Sequence, residues 1–283
     1  MNIYRHVGIA VALSPRLQPL LNEAAVQARP LSRNISLVHV GEGSPDAEDI
    51  LREALTTAGL PAETPIIWRE GQADEALLSA VAENDIDLLV AGALERESGL
   101  RYYLGSVARN LVRESPFSLL LFTNPRLEPR PMKRAVLVTD YSENSLIALM
   151  RLVRYAEASS VNEVYVVRAL SDFGDAIVLS EGMSKEQEKS FQKRSLSEEE
   201  HLVDDFVDAV GGSSVQIIPK ILQGHSGYVV SAFAREQGAD LLVMPSASQG
   251  SHFFERLFPS DMEWVLREIP CNLWVVRDVL PVA

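Results

Sequence analysis

The segment with the clearest capacity for chemistry runs from Gly92 to Val107, where twelve residues separate Gly92 from Gly105-Ser106-Val107. Glycine has no side chain to hold a backbone away from a phosphate. A Gly-Ser pair opening a helix adds free N–H groups and a hydroxyl at the positive end of the helix dipole. The pattern predicts a phosphate cradle, although glycines at a strand-to-helix connection serve equally as turn residues. Ser106 by itself reads as the N-cap of the helix that follows.

Other chemistry-bearing residue types are dispersed. His6, His39, His201, His225 and His252 lie on different elements, and no two have metal-ligand spacing. Cys271 follows Pro270 and precedes an apolar terminal run, so it reads as a buried, inert thiol. Glu198-Glu199-Glu200-His201 with Asp204, Asp205 and Asp208 reads as a solvated helix face rather than a metal site. There is no Ser-His-Asp order, no paired-carboxylate motif and no Gly-Lys-Ser/Thr, which argues against a dedicated hydrolase.

The elements that must position these residues emerge from an internal repeat. His6 to Ser14 matches Arg134 to Ser142, and Ile35 to Val40 matches Glu163 to Arg168, both at an offset of 128. Glu70-Gly71-Gln72 matches Gln223-Gly224-His225, and Asp85 to Val90 matches Gly238 to Val243, both at 153. Val112 to Pro116 then matches Leu266 to Pro270. The chain reads as two copies of one unit, 1–124 and 132–283. Their linker, about 125–131, is broken by Pro125, Pro129 and Pro131. The second copy carries about 25 extra residues between its second and third strands. That insertion, about 172–210, reads as a long helix from Ser184 to Val210, with capping boxes at Ser184/Gln187 and Ser197/Glu200.

In the first unit Val7–Leu13, Ile35–Val40, Thr64–Trp68, Leu88–Ala91 and Ser118–Phe122 read as strands, rich in Val, Ile and Leu with little alternation. Helical patterns cover Pro19–Ala28, Asp46–Ala58, Asp74–Glu83 and Val107–Arg113, with Ser44 as a cap before Pro45. Strand-helix alternation implies α/β architecture: two tandem five-stranded parallel-sheet α/β sandwiches, joined by right-handed crossovers. In such sheets ligands lie beyond the carboxyl ends of the strands, so the loops after strands one and four matter most.

Composition narrows the function classes. At 283 residues, 47% hydrophobic and 23% charged, the chain has material for two cores and is neither disordered nor fibrous. Its net charge of −13 divides as −6 for residues 1–129 and −7 for the rest, so neither half offers a basic surface for nucleic acid or anionic lipid. A single cysteine excludes an internal disulfide framework. No apolar run approaches the ~18 residues of a membrane span, and Val7 to Leu13 is too short for a signal core. The expectation is a cytoplasmic protein.

The pair of repeats resembles a tandem universal stress protein over nearly the whole chain. The resemblance is carried by Gly71-Gln72-Ala73-Asp74-Glu75-Ala76-Leu77, by Asp85 to Gly92 and by Gly105-Ser106-Val107. In the second unit its carriers are Thr139-Asp140-Tyr141-Ser142 and Gly238 to Pro245. The resemblance implies a Rossmann-like fold of the adenine nucleotide α-hydrolase type. ATP-binding members of that family carry Gly, two residues, Gly, nine residues, then Gly-Ser or Gly-Thr, with an Asp ending strand one. By that implication Gly92, Gly105, Ser106, Val107, Ser14 and Val40 would bind ATP or another adenine nucleotide, with magnesium accompanying the phosphates. Asp140 and Ser142 are the matching remnants in the second unit.

Departures fall in both halves. The first has Glu95 for the second glycine and Ala12 for the strand-one Asp. The second has Pro245 opposite Gly92, and Pro259-Ser260 opposite Gly105-Ser106; proline has no N–H to offer a phosphate. The family pairs single domains through their last strands, here Ser118–Phe122 and Leu273–Val276, which implies an internal pseudo-dimer and leaves a further homodimer open. Tyr102-Tyr103 and Phe253-Phe254 occupy matching loops and read as local packing. Three functions follow from the resemblance: a stress-response regulator sensing adenine nucleotide, a nucleotide-free scaffold for an unnamed protein partner, or a weak ATPase that phosphorylates itself at Ser106. No residue is assigned a catalytic role.

Overall fold

Ten strands form one sheet in the order β3-β2-β1-β4-β5-β10-β9-β6-β7-β8. The computed structural model describes residues 2–93, 105–170, 185–224, 226–246, 265 and 269–277. The first half contributes β1 (Val7–Val11), β2 (Ile35–Val40), β3 (Ile66–Arg69), β4 (Leu88–Gly92) and β5 (Ser118–Phe122). The second contributes β6 (Arg134–Val138), β7 (Glu163–Leu170), β8 (Gln216–Gln223), β9 (Leu241–Ser246) and β10 (Asn272–Arg277). Within each half every pairing is parallel, and the order reverses between β1 and β4 and again between β6 and β9.

The helices are α1 (Leu17–Gln27), α2 (Pro45–Thr57), α3 (Ala73–Glu83) and α4 (Ser106–Glu114) in the first half. Among the described residues the second half has the helices α5 (Glu143–Glu157), α6 (Lys185–Asp208) and α7 (Ser226–Glu236). Continuous apolar strands serve two faces at once, as a covered parallel sheet requires. Leu88 and Val90 feed the core shared with α1 and α2, while Leu89 and Ala91 feed the core shared with α3 and α4. The Ser44 signal forms as read: its hydroxyl accepts from the Ala47 N–H at 3.2 Å, with Pro45 in the first turn of α2.

Part of the extra length of the second half lies in a longer crossover helix. The α6 helix lies between β7 and β8, as α2 lies between β2 and β3, but spans 24 residues against 13. Ser197 sits inside this helix, so its pairing with Glu200 does not start one. Ser184 lies outside the described residues. Val203 and Phe206 are buried in the same core as Leu149 and Leu152 of α5, which fixes α6 against the sheet.

The halves meet where β5 and β10 pair antiparallel, Leu121 opposite Leu273 and Leu119 opposite Val275. Trp274, 1% exposed, anchors that seam; its indole N–H donates to the Tyr4 hydroxyl at 3.1 Å, and Tyr155 meets its ring edge-on at 5.6 Å. The Tyr155 hydroxyl donates to Gln27 Oε1 at 2.6 Å, tying α5 to α1. The proline-rich connection lies along α1, where Asn22 donates to the Leu127 carbonyl and Gln27 to that of Arg130.

Candidate functional site

The order reversal between β1 and β4 opens a cleft of about 240 Å³ at the carboxyl ends of these strands. Ala12, Ser14, Ala91 and Gly92 line it from the sheet, Leu17 and Leu20 from α1, and Val107, Ala108 and Leu111 from α4. Of the sequence-derived candidates it gathers Ser14, Gly92, Gly105 and Val107. Ser106 is exposed beside it and is not among the lining residues. Val40 ends β2, half-buried against the core under α3 and α4, and stands apart from the cleft. Glu95, Arg96, Arg101, Tyr102 and Tyr103 lie outside the described residues.

The start of α4 corrects one reading. Gly105, not Ser106, is the N-cap: its backbone is extended (φ −62°, ψ 165°) and its carbonyl accepts the first helical bond from Arg109 N–H at 3.0 Å. Ser106 is the first helical residue, and no side chain among the described residues caps this end. The first-turn N–H groups of this nine-residue helix meet no capping side chain among the described residues. At Gly92 an added methyl would come no nearer than 3.7 Å to Leu20 among the described residues, so a side chain there enters cleft space.

The side chains facing the cleft are mostly aliphatic. Arg16 brings a guanidinium, which donates to the Ala93 carbonyl at 3.4 Å. Beneath the mouth His39 is buried, with Nδ1 2.9 Å from the Val11 carbonyl; since a carbonyl only accepts, Nδ1 carries the proton.

In the second half the corresponding strand end is engaged by side chains of its own half. The Asp140 carboxylate accepts from Ser142 N–H at 3.0 Å and from the Ser145 hydroxyl at 2.5 Å. Ser142 in turn caps α5, its hydroxyl accepting from Ser145 N–H at 3.2 Å. Asp140 and Ser142 therefore serve the helix start, and neither lines the first-half cleft. Tyr141 takes φ +64°, a left-handed conformation unusual for a tyrosine. Its hydroxyl donates to the Glu199 carboxylate of α6 at 3.0 Å, and its ring packs against Phe206 at 5.8 Å. Arg168 lies over the same ring at 5.3 Å, with Nε 3.7 Å from Glu199. By the repeat, Tyr141 stands where the first half has Leu13 and Arg168 where it has Val40. Burial, together with the Glu199 charge, pushes the Tyr141 phenol well above its ordinary value.

Pro245 lies in β9, in register with Val276, and provides no N–H at the position of Gly92. Pro259 and Ser260 lie outside the described residues, as do His225, His252, Phe253 and Phe254. Among the described residues no three His, Cys, Asp or Glu side chains converge on a point that could hold a metal ion. Among them, too, no helix is long and apolar enough to cross a membrane.

The Tyr141, Arg168 and Glu199 cluster was missed in the sequence, although the repeat already placed Tyr141 beside Asp140 and Arg168 opposite Val40. What it hid was Glu199, 58 positions beyond Tyr141, which read as one of a row of solvated carboxylates.

A model of the universal stress protein family matches residues 46–123 and 131–277. The chain belongs to the universal stress protein family. Universal stress protein A of Escherichia coli K12 is 30% identical over 109 residues, covering 31% of this chain and 75% of that protein. Its counterpart from Salmonella typhi is 31% identical over the same length. Among solved structures, a universal stress protein from Archaeoglobus fulgidus overlays with a TM-score of 0.67 at 15% identity, covering 96% of this chain and 98% of that one. A putative universal stress protein from Pseudomonas aeruginosa overlays at 0.68, with 15% identity, 97% of this chain and 93% of that one. At such identity these two structures speak to the fold, and their coverage extends that likeness across both halves of this universal stress protein.

Proposed function

We propose that this universal stress protein is a cytoplasmic stress-response regulator that senses an adenine nucleotide in the first-half cleft, while its second half binds none. One observation carries the reading: the cleft at the β1/β4 reversal brings Ser14, Gly92, Gly105 and Val107 together beside a helix start that no side chain caps among the described residues. Backbone N–H groups at such a start are suited to a phosphate, and the aliphatic walls suit the faces of a purine. No carboxylate lines the cleft among the described residues, so an accompanying magnesium ion would be held by the phosphates. No carboxylate or histidine lines the cleft among the described residues, so none of those residues supplies a general base for hydrolysis or self-phosphorylation.

The scaffold reading draws its support from the second half, where Tyr141, Arg168 and Glu199 occupy the strand ends and Asp140 is committed to α5. The test is the melting temperature with and without millimolar ATP, ADP and AMP plus magnesium, in the wild type and in Gly105→Pro. Gly105 already has φ −62°, which proline adopts, so the variant removes an N–H and adds bulk at the helix start, and a cooperative melt shows that it folds. Ligand at ~100 times its dissociation constant adds about 2.7 kcal/mol. A rise in the wild type that Gly105→Pro lacks supports the sensor; a flat response to all three nucleotides leaves the scaffold.

A further inference from the structure

The strand β8 stands last in the sheet order and pairs with β7 through all eight of its residues. None of those residues is buried. Two hydrogen bonds fix which backbone groups face outward. Gln216 N–H donates to the Asn162 carbonyl at 3.1 Å, and Gly224 N–H to that of Leu170 at 2.9 Å. Parallel strands alternate, so the even-numbered residues of β8 turn both polar groups toward β7. Ile217, Pro219, Ile221 and Gln223 turn theirs to the open edge. Pro219 falls on that side, where its missing N–H costs the ladder nothing. From the Pro219 carbonyl to Gln223 the edge offers an unbroken set of acceptors and donors. The strand at the other end of the sheet, β3, has only four residues.

A groove of about 400 Å³ follows the same stretch, between β8 and α6. Pro219, Ile221 and Gln223 line it from the strand, and Glu200, Val203 and Asp204 from the helix. Lys220 also lines it, one ammonium against two carboxylates. The helix carries its acidic charge here against its own local preferences. Glu200, Asp204 and Asp208 are exposed and follow one another at i, i+4 spacing, where like charges weaken a helix. Asp204, Asp205 and Asp208 sit toward its carboxyl end, where the helix dipole favours cations, and its last turn holds no basic residue. From Ser195 to Asp208 the sequence contains no Lys or Arg. Local rules broken in this way beside an open strand edge mark a surface kept for recognition.

We propose that the β8 edge docks an extended basic segment of a partner protein, which adds as a strand along Pro219 to Gln223 and seats a lysine or arginine in the groove against Glu200 and Asp204. Backbone pairing supplies the affinity, and the groove supplies the side-chain preference. A second copy of this chain is the poorer occupant. Edge-to-edge pairing would bring the α6 carboxylates of both copies together, on chains of net charge −13 each. An acidic segment meets the same repulsion. The surface belongs to the second half and does not depend on what fills the first-half cleft.

The experiment screens the full chain by fluorescence anisotropy against labelled heptapeptides, with Val or Thr at alternate positions and Lys, Arg, Gln or Glu at the others. The tightest binder is then remade with backbone N-methyl groups at alternate residues, in each of the two phases. Only one phase faces a pairing edge, so plain charge attraction would not tell them apart. Lys/Arg peptides are expected to bind about tenfold or more tighter than their Glu counterparts. One N-methyl phase should weaken binding about tenfold while the other changes it less than about threefold. The exposed double variant Glu200→Gln/Asp204→Asn should lose about fivefold, and hydrogen exchange at the Ile221 and Gln223 amides should slow on binding. Glu peptides that bind as well as Lys/Arg peptides, equal tolerance of both N-methyl phases, or no binding by any peptide overturns the proposal. A double variant that melts cooperatively and binds like the wild type overturns the role given to the groove.

Discussion

Tyr141 donates its phenolic hydrogen to the carboxylate of Glu199 at 3.0 Å, joining the end of the second half's first strand to the lengthened crossover helix α6. A tyrosine at φ +64° is held against an intrinsic cost of about 1–2 kcal/mol. The Glu199 bond, the Phe206 edge contact and the Arg168 cation over the ring oppose that cost. The first half has no such latch: Leu13 stands in the same place and is 42% exposed.

Removing the hydroxyl should therefore weaken the second half without collapsing it. Tyr141→Phe keeps the ring against Phe206 and is expected to cost about 0.5–1.5 kcal/mol. A double-mutant cycle with Glu199→Gln should return a coupling of about 1 kcal/mol, read by urea unfolding. Coupling indistinguishable from zero would detach Glu199 from Tyr141.

The seam between the halves should be sensitive to its indole. Trp274 is 1% exposed, touches Tyr4 and Tyr155 and lies on the antiparallel β5/β10 pair. Trp274→Ala is expected to destabilise by about 3–5 kcal/mol. Trp274→Phe, which keeps a ring but loses the N–H to Tyr4, should cost clearly less; equal losses in denaturant midpoint would contradict this packing.

Glu23 of α1 is buried beside Tyr155 and the connection, and burial raises its carboxyl to about 7, opposed by Arg126. Between the ordinary glutamate value of 4.5 and about 7, the folded protein keeps a proton that the unfolded chain releases. Stability should then fall as pH rises through that window, with the loss complete above it. Glu23→Gln is expected to match the wild type near pH 4.5 and to exceed it at pH 8 by roughly 1–2 kcal/mol, a few degrees of melting temperature. A difference independent of pH would sink the assignment.

Cys271 is buried, and desolvation with the nearby Asp240 charge pushes its thiol well above the ordinary range. A thiolate is the reactive form, so the native protein at pH 8 should resist an aromatic disulfide reagent for hours and react within minutes once unfolded. Rapid labelling of the folded chain would show an accessible thiol.

Much of the fold was legible because continuous Val, Ile and Leu runs between helical periods leave a parallel sheet as the main solution, and a repeat at offsets of 128 and then 153 gave the first, second and fourth runs a partner. The predicted strands Ile35–Val40 and Ser118–Phe122 coincide with β2 and β5. Errors fell where local signals compete. Ser106 carries a better capping side chain than Gly105, yet the backbone enters the helix one residue earlier. Ser197 offers a capping pattern, but burial of Val203 and Phe206 holds α6 together through it. The cleft was half legible: glycine spacing marked Gly92 and Gly105, whereas engagement of the Val11 carbonyl by His39 depends on a contact across 28 residues. Glu23 reads as an ordinary polar position on a helix, and only the packing of α1 against the connection and α5 buries it.

The central claim is one nucleotide per chain, held in the first-half cleft. Calorimetric titration of the full chain with ATP and magnesium tests it, alongside Gly92→Leu, which fills cleft space near Leu20, and a melting curve to show that the variant folds. The account predicts a stoichiometry close to one for the wild type and no binding heat for a folded Gly92→Leu. A stoichiometry of two, binding unchanged in Gly92→Leu, or no binding by the wild type would contradict it.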